Sequence, residues 1–194
     1  SKPLASNVIC ALAAFLSRGF NLDKVYPYLK NLDFPRGRMD LIPLSGKDKC
    51  FIDYAHTPEA LETSLNELKE AFNNSNLWCI FGCGGDRDRD KRPKMGQVAE
   101  LLSDFLVITN DNPRTENEFD VIEEINQGIK NKTRIKIIPN RKEAILYCLN
   151  KMKANKESNV LLIAGKGHED YQDVLGKRVH FSDHEQVKSF LTSN

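Results

Sequence analysis

Four stretches of this chain gather residues that can do chemistry: FIDYAHTPEAL, FGCGGDRDRDKRPKMG, TNDNPRTENEF and AGKGHEDYQ. In the third, Asn110, Asp111, Asn112 and Pro113 run directly into Arg114. A turn needs one or two such residues, and this one has four beside a guanidinium. One reading is an Asx turn next to a solvated arginine. The other is a zwitterion clamp. A bound ammonium wants a carboxylate, a bound carboxylate wants a guanidinium, and proline stiffens the backbone between the two.

The other stretches leave similar choices. Gly82, Gly84 and Gly85 let a backbone approach a ligand closely, and Arg87 just beyond them could grip a carboxylate or phosphate. A flexible solvated loop is the alternative. It is not a P-loop, because no Lys-Ser/Thr follows, and it does not fit the dinucleotide fingerprint. In AGKGHEDYQ the glycines bracket Lys166, and His168, Glu169 and Asp170 follow. A metal site is one reading, although the spaced second histidine of a zinc helix is missing. Asp53 and His56 either face a ligand or cap the helix that follows them. His180 and His184 are expected at the surface, and Cys79 and Cys83 are expected to pack in the interior.

These residues need elements to position them. ASNVICALAAFLSRGF has helical spacing and stops at Gly19, and a short helix follows over residues 23–29. NLDFPRGRMD breaks the pattern and marks a boundary between residues 33 and 34. Strands then alternate with helices. CFIDYA, LWCIF, FLVIT, RIKII and NVLLIA read as strands. Helices are expected from the Thr57 cap to about Phe72, from Pro93, over EFDVIEEINQGI, and from the Asn140 cap. DVLGKRVHF reads as a hairpin, and Asp183 is expected to cap a last helix. This alternation implies an α/β fold: a Rossmann-like, mostly parallel sheet flanked by helices, preceded by a short helical segment. Ligands of such sheets sit beyond the carboxyl ends of the strands. All four chemical stretches begin there, which a random scatter of charged residues would not do.

Composition bounds the function. The 194 residues are 40% hydrophobic and 28% charged, with net charge +1. Nothing marks a nucleic-acid or membrane partner, and no apolar run approaches the ~20 residues of a membrane-spanning helix. Five scattered cysteines point to free thiols in a reducing, cytoplasmic setting. Ser1 as first residue suggests a fragment. A monomer is expected.

Taken together, FIDYAHTPEAL, FGCGGDRDRDKRPKMG, DNPRTE and AGKGHEDYQ resemble the Mur ligases of peptidoglycan synthesis, in particular those adding the third residue of the stem peptide. The DNPR motif resembles the version found in enzymes that add meso-diaminopimelate. The resemblance covers nearly the whole chain, but only the last part of that family's architecture. It implies that residues 1–33 are the tail of a central ATPase domain and 34–194 a C-terminal, amino-acid-binding domain. The implied reaction uses ATP and magnesium to activate the D-glutamyl carboxylate of UDP-N-acetylmuramoyl-L-alanyl-D-glutamate as an acyl phosphate. The amine of meso-diaminopimelate then attacks it.

By the same resemblance, Arg114 grips the distal carboxylate of the diamino acid. Asp111 and Asn112 take its distal ammonium or order the loop, and Pro113 fixes the turn. Glu169 faces that ammonium, Gly165 offers a carbonyl, and Arg87 binds the carboxylate at the reacting end. On the nucleotide side, Arg38 reaches the phosphates, Asp53 and His56 lie near ribose and phosphates, and Asn7 lies near the adenine. No catalytic residue and no metal ligand is assigned within the chain. No GTNGKT-type P-loop occurs in it, so the chain alone is expected not to turn over ATP. Two other readings stand: a non-catalytic amino-acid or nucleotide binding module, and a related ligase whose acceptor is lysine or a folate polyglutamate. The opening helices are expected to expose Val8, Leu12 and Phe15.

Overall fold

A computed structural model describes residues 2–32 and 35–193. The chain divides into two compact units, Ser1–Arg36 and Gly37–Asn194. The boundary expected between residues 33 and 34 falls on Asp33 and Phe34, which lie outside the described residues. The first unit holds α1 (Lys2–Ser17) and α2 (Leu22–Leu29). Gly19, at φ +81°, ends α1 as expected, because a left-handed residue lets the chain turn back on the last carbonyls. Phe15 is exposed, while Val8 and Leu12 are half-buried, contrary to the expectation for those two.

The second unit is built on a six-stranded sheet of order β1-β2-β6-β3-β4-β5. Its strands are β1 (Asp40–Pro43), β2 (Lys49–Asp53), β3 (Asn76–Phe81), β4 (Phe105–Ile108), β5 (Ile135–Ile137) and β6 (Asn159–Ala164). All neighbours pair in parallel except β1 with β2. The α/β expectation holds. Strand β1 was not expected, because it is only four residues long and ends in a proline. An edge strand tolerates that proline, since no further strand asks for its missing N–H.

Side chains alternate across the sheet and feed two cores. On one face Phe51, Cys79, Phe81, Leu106 and Leu162 pack under α3 (Pro58–Ala71), α4 (Lys91–Leu102) and α5 (Glu118–Asn126). On the other, Ile52, Trp78, Ile80, Val107 and Ile163 pack under α6 (Arg141–Ala154) and α7 (Asp183–Thr192). The chain walks β2 to β5 along one face, then α6 returns it on the other face to insert β6 between β2 and β3. The helices therefore change face beside β6, and this opens the crevice where α/β sheets bind ligands.

Local chemistry explains most helix starts. Thr57 Oγ1 accepts from Ala60 N–H at 3.2 Å with Pro58 in the first turn, and Asn140 Oδ1 accepts from Glu143 N–H at 3.1 Å. Two starts differ from expectation. Helix α4 begins at Lys91, with Pro93 inside its first turn, where a missing N–H costs nothing. Ser182 precedes α7, and Asp183 spends its carboxylate on Arg141 rather than on the helix end. Helix α5 also stops at Asn126, short of the expected Ile129. The expected hairpin is present as β7 (Tyr171–Val174) and β8 (Lys177–His180), with Leu175 and Gly176 both at positive φ as a two-residue type I′ turn requires.

Candidate functional site

The loop after β4 is clamped between the loop after β3 and the hairpin. Thr109 N–H bonds Phe81 O at 3.0 Å, and Gly85 N–H bonds Asn112 O at 2.9 Å. Beyond them Arg114 takes a left-handed φ of +52° and pairs with β7: its N–H donates to Asp173 O at 2.9 Å and its carbonyl accepts from Leu175 N–H at 2.7 Å. Gln172 Nε2 donates to Asp111 O at 2.9 Å. The whole DNPR turn is thus fixed from both sides, and Asp111, Asn112 and Pro113 are buried.

The acidic half of the site centres on an ammonium. Lys166 Nζ is fully buried and lies 3.0 Å from Asn112 Oδ1, 3.5 Å from Asp111 Oδ1 and 3.4 Å from Glu169 Oε2. Asn112 Nδ2 donates to the same Glu169 oxygen at 2.9 Å, so one side chain joins the loops after β4 and β6. Gly165, at φ +111°, sits so close that a Cβ there would lie 2.5 Å from Asp111 Oδ2. The field of this cluster reaches β2: burial, and then the charges of Glu169 and Asp111, push the Tyr54 phenol up from its ordinary value.

The basic half lies across the same turn. Arg114 Nη1 donates to Gly85 O at 2.6 Å. Arg87 is exposed and bonds Asp86 O at 3.2 Å. Both side chains flank Gly84, where a Cβ would meet Arg114 Nη1 at 2.8 Å and Arg87 Cγ at 3.7 Å. The DNPR turn is therefore bordered by two carboxylates, Asp111 and Glu169, gathered at Lys166, and by two arginines, Arg114 and Arg87, gathered at Gly84 and Gly85.

Two buried arginines that carried no signal in the sequence hold this arrangement. Arg141 bonds both Asp183 oxygens at 2.8 Å and donates to the carbonyls of Asn110 and Ala164, where β4 and β6 end. Arg92 bonds Glu116, Glu124 and Gly84 O. The expected packing role of Cys79 and Cys83 is what the structure shows. Both are buried, and burial pushes each thiol up to about 12, too high for a nucleophilic thiolate near neutral pH.

A second cluster surrounds the end of β2. The Arg38 guanidinium lies 4.9 Å above the Tyr54 ring, and the His56 and His168 rings lie 4.6 and 5.4 Å from it. Lys91 Nζ donates to His56 O at 2.8 Å. Asp53 turns inward, accepting from Met39 N–H at 2.7 Å and Ser64 Oγ at 3.4 Å. Burial raises its carboxyl against the pull of those bonds. It does not cap α3, since Thr57 does. Asn7 is exposed on α1, in the first unit. His184 is buried rather than at the surface, with Nε2 2.8 Å from Asp40 Oδ2, while His180 is exposed as expected. Lys166, Tyr54, His168 and Lys91 stood in the quoted stretches without an assigned role. For Lys166 the signal was present: two glycines around a lysine, with acidic residues close in the chain.

A family model described as Mur ligase, glutamate ligase domain, matches residues 37–167. The chain belongs to the Mur ligase family. A UDP-N-acetylmuramoyl-L-alanyl-D-glutamate--2,6-diaminopimelate ligase of Buchnera aphidicola subsp. Baizongia pistaciae is 47% identical over 188 residues, covering 95% of this chain and 36% of that protein. The ligase of the same name from Haemophilus influenzae is 44% identical, over 96% of this chain and 37% of its own length. A solved structure of such a ligase superposes with a TM-score of 0.74 at 38% identity, over 97% of this chain and 38% of that one. The UDP-N-acetylmuramate-alanine ligase of Thermotoga maritima shares the fold at 22% identity, with a TM-score of 0.63 over 94% of this chain and 36% of its own. The chain thus spans just over a third of the length of these Mur relatives.

Proposed function

We propose that this chain is the acceptor-binding part of an ATP-dependent ligase that adds meso-diaminopimelate to UDP-N-acetylmuramoyl-L-alanyl-D-glutamate. The observation that carries the reading is that the DNPR turn gathers both signs of charge, Asp111 and Glu169 at Lys166 and Arg87 and Arg114 at Gly84 and Gly85. The distal end of meso-diaminopimelate is a zwitterion, and lysine lacks its carboxylate. In this reading Arg114 forks onto that carboxylate, Glu169 and Asp111 take the ammonium, and Arg87 holds the carboxylate near the reacting amine. Asn112, Pro113 and Gly165 keep the turn in place. The names of the relatives at 44–47% identity support the same acceptor.

The cluster of Arg38, Tyr54, His56, His168 and Lys91 suits a nucleotide polyphosphate, with cationic and aromatic groups side by side. ATP, when bound, supplies the phosphoryl group that activates the acyl substrate. Magnesium and ATP are read as held mainly by the preceding domain, and no residue of this chain is assigned to the metal. Residues 1–33 are read as the tail of a preceding ATPase domain, with Asn7 toward the adenine. The ligase is read as a cytoplasmic monomer. Among the described residues no helix is long and apolar enough to cross a membrane.

The test is acceptor choice in the full-length gene product, comparing kcat/KM for meso-diaminopimelate and for lysine. Arg114→Ala is expected to lose about 2–5 kcal/mol of transition-state stabilisation for meso-diaminopimelate, the cost of unpairing a desolvated charge. Lysine turnover should change little. Arg114→Lys should restore only part, because an ammonium cannot reproduce the planar fork. An equal loss for both acceptors would mean that Arg114 only supports the turn.

A further inference from the structure

Lys166 is a fully buried charge at the centre of the site, and the proposed function gives it no role. Its ammonium is fully buried, within 3.5 Å of Asp111, Asn112 and Glu169, and 5.5 Å from the Tyr171 ring centroid. These partners come from different strand ends: Asp111 and Asn112 follow β4, while Lys166, Glu169 and Tyr171 follow β6. This ammonium bonds both carboxylates, and the Asn112 amide adds a second link between the two loops through Glu169.

We propose that Lys166 is an internal counter-cation, a positioning residue that fixes the two carboxylates and sets the site to receive one ammonium. This rests on the zwitterion reading above. The charge count supports it. Arg114 answers the distal carboxylate of the ligand. Asp111 and Glu169 together would leave one negative charge in excess of a single ligand ammonium. Lys166 cancels that excess among these groups, and a buried carboxylate without a compensating charge is costly. The same ammonium keeps the carboxylates from repelling each other before the ligand arrives, which lowers the reorganisation that binding demands.

The experiment uses the 194-residue chain with Lys166→Ala and Lys166→Met. Lys166→Ala leaves room for a small alkylammonium, while Lys166→Met keeps the stem without the charge. One arm follows amide hydrogen exchange over residues 109–114 and 165–173 without acceptor. Exchange there is expected to be about tenfold faster in both variants. Ethylammonium chloride should restore protection in Lys166→Ala, sodium chloride at equal ionic strength should not, and Lys166→Met should respond to neither. The other arm titrates meso-diaminopimelate by calorimetry, with affinity expected to fall about tenfold in Lys166→Ala and to recover with ethylammonium. Unchanged exchange in Lys166→Ala overturns the proposal. So does wild-type exchange in Lys166→Met, which would show that the stem's bulk holds the loops, and so does a loss that no amine repairs. If the wild-type chain takes up no meso-diaminopimelate, the acceptor reading fails, while the exchange arm still decides the role of Lys166. Should Lys166→Ala not fold, Lys166→Met decides alone.

Discussion

Two buried arginines hold the site, and they are held differently. Arg141 lies beneath the ends of β4 and β6, and neither its guanidinium nor the Asp183 carboxylate has any solvent exposure. Arg92 lies at the rim, equally buried, but its partners Glu116 and Glu124 keep 20% and 18% of their side-chain surface. Arg141 Nε is bonded to Asp183, whereas Arg92 Nε is buried with no hydrogen-bond partner among the described residues. The chemistry of the pair is the same in both regions. What differs is whether the acid can fall back on water. A pair without that option is a fixed part of the scaffold, and a pair with it answers to acid and salt.

The largest effect should come from the sealed pair. Arg141→Met leaves Asp183 charged and buried and leaves the Asn110 and Ala164 carbonyls without their donor. The expected cost is about 3–5 kcal/mol by urea unfolding. Adding Asp183→Leu should recover much of it, because an apolar pair of similar volume removes the stranded charge. Arg92→Met should cost less, about 1–3 kcal/mol, since Glu116 and Glu124 can turn outward and mainly Gly84 O is left unmet. Equal costs for the two variants would show that exposure of the acid is not what separates the regions.

Neither arginine was visible in the sequence, and the reason is physical. Arg92 stands in DRDRDKRP among mostly exposed charged residues, and Arg141 stands beside Lys142 at the start of a helix. Burial of a charge is decided by what the fold brings from far along the chain: Glu116 and Glu124 for one, Asp183 for the other. The parallel sheet was legible, because short, largely apolar runs alternate with helices that most often open on a cap residue. The loops after β2, β3, β4 and β6 were legible as candidate sites, because they cluster glycine, proline and paired charges at strand ends. The internal wiring was not. The contact of Lys166 with Asp111, and the pairing of Arg114 with β7, join residues tens of positions apart, which spacing does not encode.

Acid sharpens the contrast. Hydrogen bonds from Arg92 hold the Glu116 carboxyl down at about 2, and Arg89 and then Arg92 lower Glu124 as well. A folded-state value below the unfolded one gives stability that is present above the ordinary carboxylate range and is lost as pH falls through that range toward the folded value. The wild-type chain should therefore lose stability progressively between about pH 5 and pH 2, read as a falling urea midpoint. Arg92→Met removes the largest cause of the Glu116 shift, so its midpoint should fall less over the same window. A wild-type slope that survives in Arg92→Met would assign the acid limb to other carboxylates.

The smallest effect is expected one step further out. Arg89 also pairs with Glu124, but 63% of its side-chain surface is exposed. An exposed guanidinium gives up rotamer freedom to form the pair, and dissolved ions screen what it gains. Glu124 would not be stranded by its loss, because Arg92 Nη1 remains 2.7 Å away. Arg89→Ala should therefore leave Tm within about one degree of wild type, and raising the salt concentration should shrink even that difference. Three arginines then form a series in which the guanidinium's chemistry is constant while the shelter of the pair falls from complete to slight. A Tm loss for Arg89→Ala as large as that for Arg92→Met would break the series. It would mean that Glu124, shared by both arginines, is the element that holds the rim, and that Arg92 is only one of its two partners.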